Sequence, residues 1–252
     1  MKLNKIIVAE NLSHRFTNGR FGIKDITLSI HEGEFVVIAG PNGSGKTTFI
    51  RHLNGLARPT GGRVLLDGID IAQNVIRARR LVGMVFQNPD SQIVGETVYD
   101  DVAFGPENLS LDRAEIEKRV NESLQSVGLS HLAEERPHLL SGGEKRRLAI
   151  AGVLAMRPRV IVFDEPFSNL DYPGVRQVLQ QIVSLHQSGH TILVTTHDLE
   201  KVIAHSNRVI LLSEGRVARD GAPDTVIKES EAFGVREPCA SRLGLEVGSW
   251  LN

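Results

Sequence analysis

EFVVIAGPNGSGKTTFIRHLNGL, residues Glu34 to Leu56, decides the fold. It opens with EFVVIAG, an apolar run with no alternation, which suits a strand buried on both faces. It closes with TTFIRHLNGL, which reads as a helix. Between them, GPNGSGKT (Gly40 to Thr47) fits the pattern G-x-x-x-x-G-K-[ST]. Glycines at these places let backbone N–H groups curl around an anion, and the start of the helix adds a favourable dipole. A plain glycine-rich strand-to-helix turn is the bland alternative. The complete spacing and the flanking strand and helix favour the phosphate loop, in which Lys46 reaches the β- and γ-phosphates and the Thr47 hydroxyl binds Mg²⁺.

Outward from this loop, LVGMVFQ (Leu81 to Gln87), RVIVFDE (Arg159 to Glu165) and TILVTTH (Thr191 to His197) repeat the buried-strand signature, and helical patterns separate them. That alternation predicts a largely parallel sheet covered by helices, an α/β fold. KIIVAENLSHRF, DITLSIHEGE and GGRVLLDG are assigned to an antiparallel β layer beside it, and NRVILLSEGRVARDG to a further hairpin. From Asn88 to Pro158 the strand signal vanishes. DRAEIEKRVNESLQSVGL has helical spacing, with Asp112 as N-cap and Gly128 as the stop. The expected organisation is an α/β core over 1–87 and 159–221, a helical subdomain over 88–158 and a C-terminal tail over 222–252.

Two further stretches carry chemistry. RVIVFDEP drives a strand to the sheet edge, where Asp164 and Glu165 emerge together. An aspartate there holds Mg²⁺, and the adjacent glutamate is placed to polarise an attacking water. Taken alone, the pair also fits two acids capping a helix that starts after Pro166. In LLSGGEKRRLAIAGVLAMRP, Ser141, Gly142, Gly143 and Glu144 read as a helix start. That segment is either an amphipathic core helix with a serine cap or a second anion-binding helix end.

GPNGSGKT, Gln87, LSGGE, VIVFDEP, SNLD and His197, in this order, resemble the ATP-binding cassette (ABC) ATPases from about Val8 to Gly221. LSGGE separates that family from other phosphate-loop enzymes. The resemblance implies a P-loop fold with an antiparallel layer and an inserted helical subdomain, ATP and Mg²⁺ as ligands, and ATP hydrolysis. It makes Gly40, Pro41, Asn42, Gly43, Ser44, Gly45, Lys46, Thr47 and Thr48 the nucleotide contacts, and Phe16 the aromatic that stacks on adenine. It makes Thr47, Gln87 and Asp164 the metal-side residues, with Gln87 also sensing the γ-phosphate. Glu165 becomes the general base and His197 the switch histidine, although a lone histidine at a strand end is otherwise more often structural. Ser141, Gly142 and Gly143 bind ATP held by a second cassette, and Asp171 lies at that interface. A working site therefore implies a dimer. Asn169 departs from the commoner alanine.

The even charge balance, 29 basic against 30 acidic residues, gives no global field favouring nucleic acid. A single cysteine, Cys239, excludes an internal disulfide and argues against a thiolate metal cluster. The longest apolar run, Leu148 to Met156, is nine residues, whereas a membrane span needs about twenty. No signal-peptide pattern opens the chain, so the expectation is a soluble protein of the cytoplasm. Coiled-coil or zinc-binding inserts typical of ABC ATPases of DNA repair are absent from the sequence, as is a second cassette, which favours transport over that alternative. NPDSQIVGETVYDDVAFGPENL and AIAGVLAMRP resemble the energy-coupling-factor branch, importers of cobalt, nickel or vitamins such as biotin. The resemblance implies a transmembrane coupling protein, a small substrate-capturing membrane protein, and a position on the cytoplasmic face of the membrane. Asp100 and Asp101 are expected to face the membrane partner. The tail, FGVREPCASRLGLEVGSWLN, is expected either as a terminal helix at the dimer interface or as a solvated end.

Overall fold

A computed structural model describes residues 4–251; residues 1–3 and 252 of the expected core and tail lie outside the described residues. In chain order the strands and α-helices are β1 Lys5–Arg15, β2 Phe21–His31, β3 Phe35–Ala39, α1 Lys46–Leu53, β4 Gly61–Leu66, β5 Ile69–Asp70, α2 Val75–Leu81 and β6 Val82–Val85. They continue with α3 Val98–Asn108, α4 Arg113–Ser126, α5 Gly142–Ala155, β7 Val160–Asp164, α6 Tyr172–Gln187, β8 Thr191–Thr196, β9 Arg208–Ser213, β10 Arg216–Gly221, α7 Pro223–Val226 and α8 Cys239–Arg242.

Two sheets result. β2-β1-β4-β5 is antiparallel throughout, and β10-β9-β3-β8-β7-β6 is parallel except for the β9–β10 hairpin at its edge. The continuous apolar strands of the second sheet still obey the two-residue pleat. Phe35, Val37, Ile161, Phe163, Ile192 and Val194 enter one apolar cluster, which Val102, Leu124, Leu148 and Leu179 complete from the helices. Val36, Ile38, Val160, Val162 and Leu193 enter the other, against Ile6, Ile23, Ile26 and Phe49. Both faces of this sheet are thus dry, and its strand ends are held at fixed places. α3, α4 and α5 lie between β6 and β7 in the chain. Their inner side chains share the first cluster with the sheet, so the helical segment is packed on the core rather than tethered to it.

Local signals set the helix ends. Asp112 accepts from Glu115 N at 2.9 Å to start α4, and Gly128 takes φ +69° just past its end. Ser141 and Glu144 form a reciprocal capping box at α5.

One expectation is corrected. Asp101 does not present a free carboxylate to a partner, whereas Asp100 remains exposed. Asp100 closes a capping box with Thr97 at the start of α3, and Asp101 is buried, its Oδ1 accepting from Val94 N at 2.7 Å and Gly95 N at 3.0 Å. Two backbone donors at a tight entry to α3 outcompete solvent for that carboxylate, although burial raises its pKa. The alternative set against the acid pair, a helix starting after Pro166, is not what forms: the chain turns through Ser168 and Asn169, and α6 begins at Tyr172 under an Asp171 cap. In the tail a short helix and exposed residues occur together. After that helix, α8, the chain folds back, with Trp250 tilted against Tyr172 (centroids 5.6 Å), Leu251 O accepting from Arg176 at 2.8 Å, and Ser249 Oγ 2.8 Å from His205 Nε2.

Candidate nucleotide-binding and catalytic site

The turn from β3 into α1 is built for close approach. Gly45 has φ +103°, and a Cβ there would meet Gly22 O at 2.5 Å. A Cβ on Gly40 would meet Leu212 O at 2.3 Å. α1 starts with no side-chain cap, so its first N–H groups are free for a ligand. The Ser44 hydroxyl is buried without a hydrogen-bond partner. Lys46, also buried, folds over the loop and donates to Gly40 O at 2.7 Å and Pro41 O at 3.2 Å. Uncapped donors, an orphaned hydroxyl and a lysine inside a glycine cradle fit a polyphosphate.

The acids stand opposite. β7 ends at Asp164, whose carboxylate accepts from Thr47 Oγ1 at 3.0 and 3.2 Å and from Thr195 Oγ1 at 2.6 Å. Glu165 follows in the left-handed region, φ +46°, where a side chain is rare. Its N–H is held by the hydroxyl and carbonyl of Thr195, at 3.0 and 3.1 Å. That conformation turns Glu165 toward the loop. Oε1 lies 3.3 Å from Lys46 Nζ, and Oε2 is 2.9 Å from His197 Nδ1. Oε1 is buried and lacks a well-aligned hydrogen bond.

Asp164, Glu165 and Lys46 together carry two negative charges and one positive, all buried. The uncompensated charge, with a hydroxyl and a carboxylate side by side at Thr47 and Asp164, suits a hard divalent cation. Among the described residues no group of three or more His, Cys, Asp and Glu side chains is arranged to hold a metal. Mg²⁺ takes one or two carboxylates and completes its shell with water and substrate phosphates, so it does not need such a group.

Phe16, Asn42, Gly43, Gly45, Lys46, Thr47, Thr48, Gln87, Glu165 and His197 all line one cleft, together with Phe21 and Gly22. Gln87 is exposed just past β6, its Nε2 3.5 Å from Ser168 Oγ. Ser141, Gly142, Gly143 and Asp171 do not line this cleft. Ser141 Oγ is engaged with Glu144 Oε2 at 2.6 Å, and Asp171 caps α6 through Gly174 N at 2.9 Å. Gly142 borders a wider cleft with Thr47, Gln87, Asp164 and Arg146.

Two residues at the site escaped the sequence reading. Thr195 pairs in register with Asp164 across β7 and β8, so its hydroxyl serves both acids; the doubled threonine before His197 was the available signal. Arg146 is buried on α5 and donates to Gln87 O at 3.0 Å and Ser168 O at 3.3 Å. It ties the helix behind the glycines to the two loops around the acids. Its Nε and Nη1 have no partner, and burial lowers its pKa.

The sequence profile of the ABC transporter family matches residues 23–168. A putative ABC transporter ATP-binding protein of Methanothermobacter marburgensis is 43% identical over 91% of this chain and 84% of its own length. The energy-coupling factor transporter ATP-binding protein EcfA of Methanocaldococcus jannaschii is 42% identical over 90% of this chain and 83% of its own. Among solved structures, cbiO1 of Clostridium perfringens, described as part of the ABC transporter complex cbiONQ, superposes with a TM-score of 0.82. It is 37% identical, over 96% of this chain and 99% of cbiO1. The ATP-binding cassette MJ0796, solved as a dimer in a post-hydrolysis state bound to ADP and Pi, gives a TM-score of 0.77 at 31% identity, over 86% of this chain and 98% of that one. With phosphate loop, acid pair and signature helix in one α/β frame, the chain belongs to the ATP-hydrolysing subunits of ABC transporters, among relatives named as energy-coupling factor ATP-binding proteins.

Proposed function

We propose that this chain is the ATP-hydrolysing motor of an energy-coupling-factor importer, acting as one half of a cassette dimer. One observation carries the catalytic part: the Glu165 carboxylate is held between Lys46 and His197, one residue beyond the Asp164–Thr47 pair. ATP would lie with its base on Phe16 and its phosphates in the loop Gly40–Thr47. Thr47 and Asp164, with Gln87 beside them, would hold Mg²⁺, which would supply charge neutralisation for the phosphates. Lys46 is drawn from the loop carbonyls to the phosphates, because an anion is a stronger partner for an ammonium group than a neutral carbonyl. Its withdrawal leaves Glu165 Oε1 free to take a proton from water, while His197 holds Oε2 in place. Substrate binding thus releases its own general base.

The same geometry supports a dimer. Ser141, Gly142 and Gly143 sit on a helix N-terminus outside the cleft that Phe16 and Lys46 line, so they are proposed to meet ATP held by a second cassette, with Asp171 at the seam. ATP then favours the closed pair and hydrolysis releases it, a difference in affinity that can drive a partner. No helix among the described residues is long and apolar enough to cross a membrane. The proposed partners are therefore a transmembrane coupling protein and a small substrate-capturing membrane protein, with this chain peripheral on the cytoplasmic face. The names of the relatives support this reading, and the cargo proposed is a transition-metal ion, cobalt or nickel, or a vitamin such as biotin. The test is purification of the chain from membranes with its bound subunits. Co-purifying integral membrane proteins whose presence stimulates ATP hydrolysis are expected. A DNA-bound complex without a membrane subunit would overturn the transport reading.

A further inference from the structure

Behind Phe16 stands a pair of histidines that neither the phosphates nor the acids use. His52 is on α1, the phosphate-loop helix, and is 1% exposed. Its Nδ1 is 2.7 Å from the Thr48 carbonyl one turn back, which only accepts, so Nδ1 carries the proton and Nε2 is a bare acceptor. His14, near the end of β1, places Nδ1 3.2 Å from that Nε2 and 3.2 Å from the Arg58 carbonyl. Both are acceptors, so His14 Nδ1–H donates to both. The two rings meet edge to face, centroids 5.0 Å apart, and His14 meets Phe16 in the same way at 5.0 Å. Phe16 is also braced from below: a Cβ on Gly22 would come within 2.8 Å of its ring and 3.0 Å of Thr48 Cγ2.

We propose that His52 and His14 are positioning residues for the nucleotide base, a hydrogen-bonded relay that sets the Phe16 platform relative to the phosphate-loop helix. The proposal rests on the reading that Phe16 stacks on the base of ATP. Two ends of the nucleotide are bound by separate parts of the chain, the phosphates by the turn into α1 and the base by the end of β1. The relay is a direct side-chain tie between them, so it fixes the distance over which base and phosphates are read together.

The tie works only while His52 is neutral. A proton on His52 Nε2 would point at the Nδ1–H of His14, donor against donor. Burial chiefly, and the charge of His14 in addition, lower the pKa of His52 against the raising effects of the Thr48 and Arg58 carbonyls. Arg58 faces the pair through its carbonyl, Arg15 Nε is turned to Gly19 O at 2.8 Å, and Lys24 lies 5.1 Å over Phe21. His14 is thus the titratable group that acts on His52 by charge.

The experiment measures binding of ATP and of inorganic tripolyphosphate to the full chain by calorimetry, between about pH 8 and about pH 5.5, across the histidine range. At the upper pH, Phe16→Ala, His14→Leu and His52→Leu are each expected to weaken ATP roughly three- to ten-fold, the scale of one aromatic contact, and to leave tripolyphosphate binding unchanged. His52→Gln keeps an acceptor for His14 and should retain the affinity for ATP. As His52 takes up its proton, followed by the NMR shift of its imidazole, the wild-type preference for ATP over tripolyphosphate should fall, and in His52→Gln it should not. If Phe16→Ala weakens ATP while both leucine variants bind it normally, the relay is refuted and the platform survives. If Phe16→Ala leaves ATP binding intact, the platform itself is wrong. Joint loss of both ligands in the leucine variants, or a wild-type preference that stays flat while His52 takes up its proton, overturns the relay.

Discussion

Asp101 gives the sharpest test of how the segment after Gln87 is built. Its Oδ1 accepts from both Val94 N and Gly95 N, at 2.7 and 3.0 Å, in a buried position. Asp101→Ala strands two amides, each worth about 1–3 kcal/mol when unsatisfied. Release of a buried charge offsets part of that, so a net loss of about 2–4 kcal/mol is expected. For a chain of this size that lowers Tm by roughly 5–12 °C. Asp101→Asn keeps the Oδ1 acceptor and removes the charge, so its stability at neutral pH should lie within about 1 kcal/mol of wild type or above it. The sign of the pH effect follows from the raised pKa. A carboxyl whose folded pKa exceeds its unfolded value contributes stability below the unfolded pKa and loses it as pH rises through the folded one. Asp101→Asn should therefore gain on wild type as pH rises from acid to neutral. Urea unfolding of the isolated chain at several pH values reads both quantities. An asparagine variant as unstable as the alanine variant would refute the account, because it would mean that the charge itself, rather than the acceptor, holds the loop.

Three other outcomes follow from the site. Thr47→Ala removes the hydroxyl bound to Asp164 and should raise the Mg²⁺ concentration for half-maximal ATPase by about ten-fold or more, read in a metal titration. Glu144→Gln keeps an oxygen acceptor for the Ser141 N–H but removes a charge, one whose pKa is lowered by the Ser141 hydroxyl, from the helix end proposed to meet the second cassette's ATP. ATP-dependent dimerisation, followed by light scattering, should tighten roughly two- to five-fold. Arg146→Met should cost little stability, since it loses two hydrogen bonds but also a buried cation with two unpartnered nitrogens; ATP turnover should nevertheless fall at least about ten-fold, because the loops of Gln87 and Ser168 lose their tie to α5.

Features written in short, local patterns were legible in the sequence. The turn from β3 into α1 needs glycine at Gly45 for its φ and its contact with Gly22 O, and that requirement shows as a motif. The two covered faces of the parallel sheet show as apolar runs, and the caps Asp112 and Ser141 show as polar residues ahead of helical spacing. The reading failed where a residue's partner is remote or of an unexpected kind. Asp101 was expected to face a partner, yet two backbone donors claim its carboxylate, while Asp100 stays exposed and caps α3 with Thr97. Thr195, Arg146 and the His14–His52 pair act across tens of residues of sequence, which no local pattern encodes. The tail's return onto α6 is of the same kind, because it depends on Tyr172 and Arg176 being where Trp250 and Leu251 arrive.

The central claim is that Glu165 is the base and that the other residues of the cleft bind and position ATP. ATP binding and single-turnover hydrolysis by Glu165→Gln test it together. Binding should persist, because the phosphate loop is untouched, while hydrolysis should fall by about 100-fold or more. Near-normal hydrolysis by Glu165→Gln would contradict the assignment.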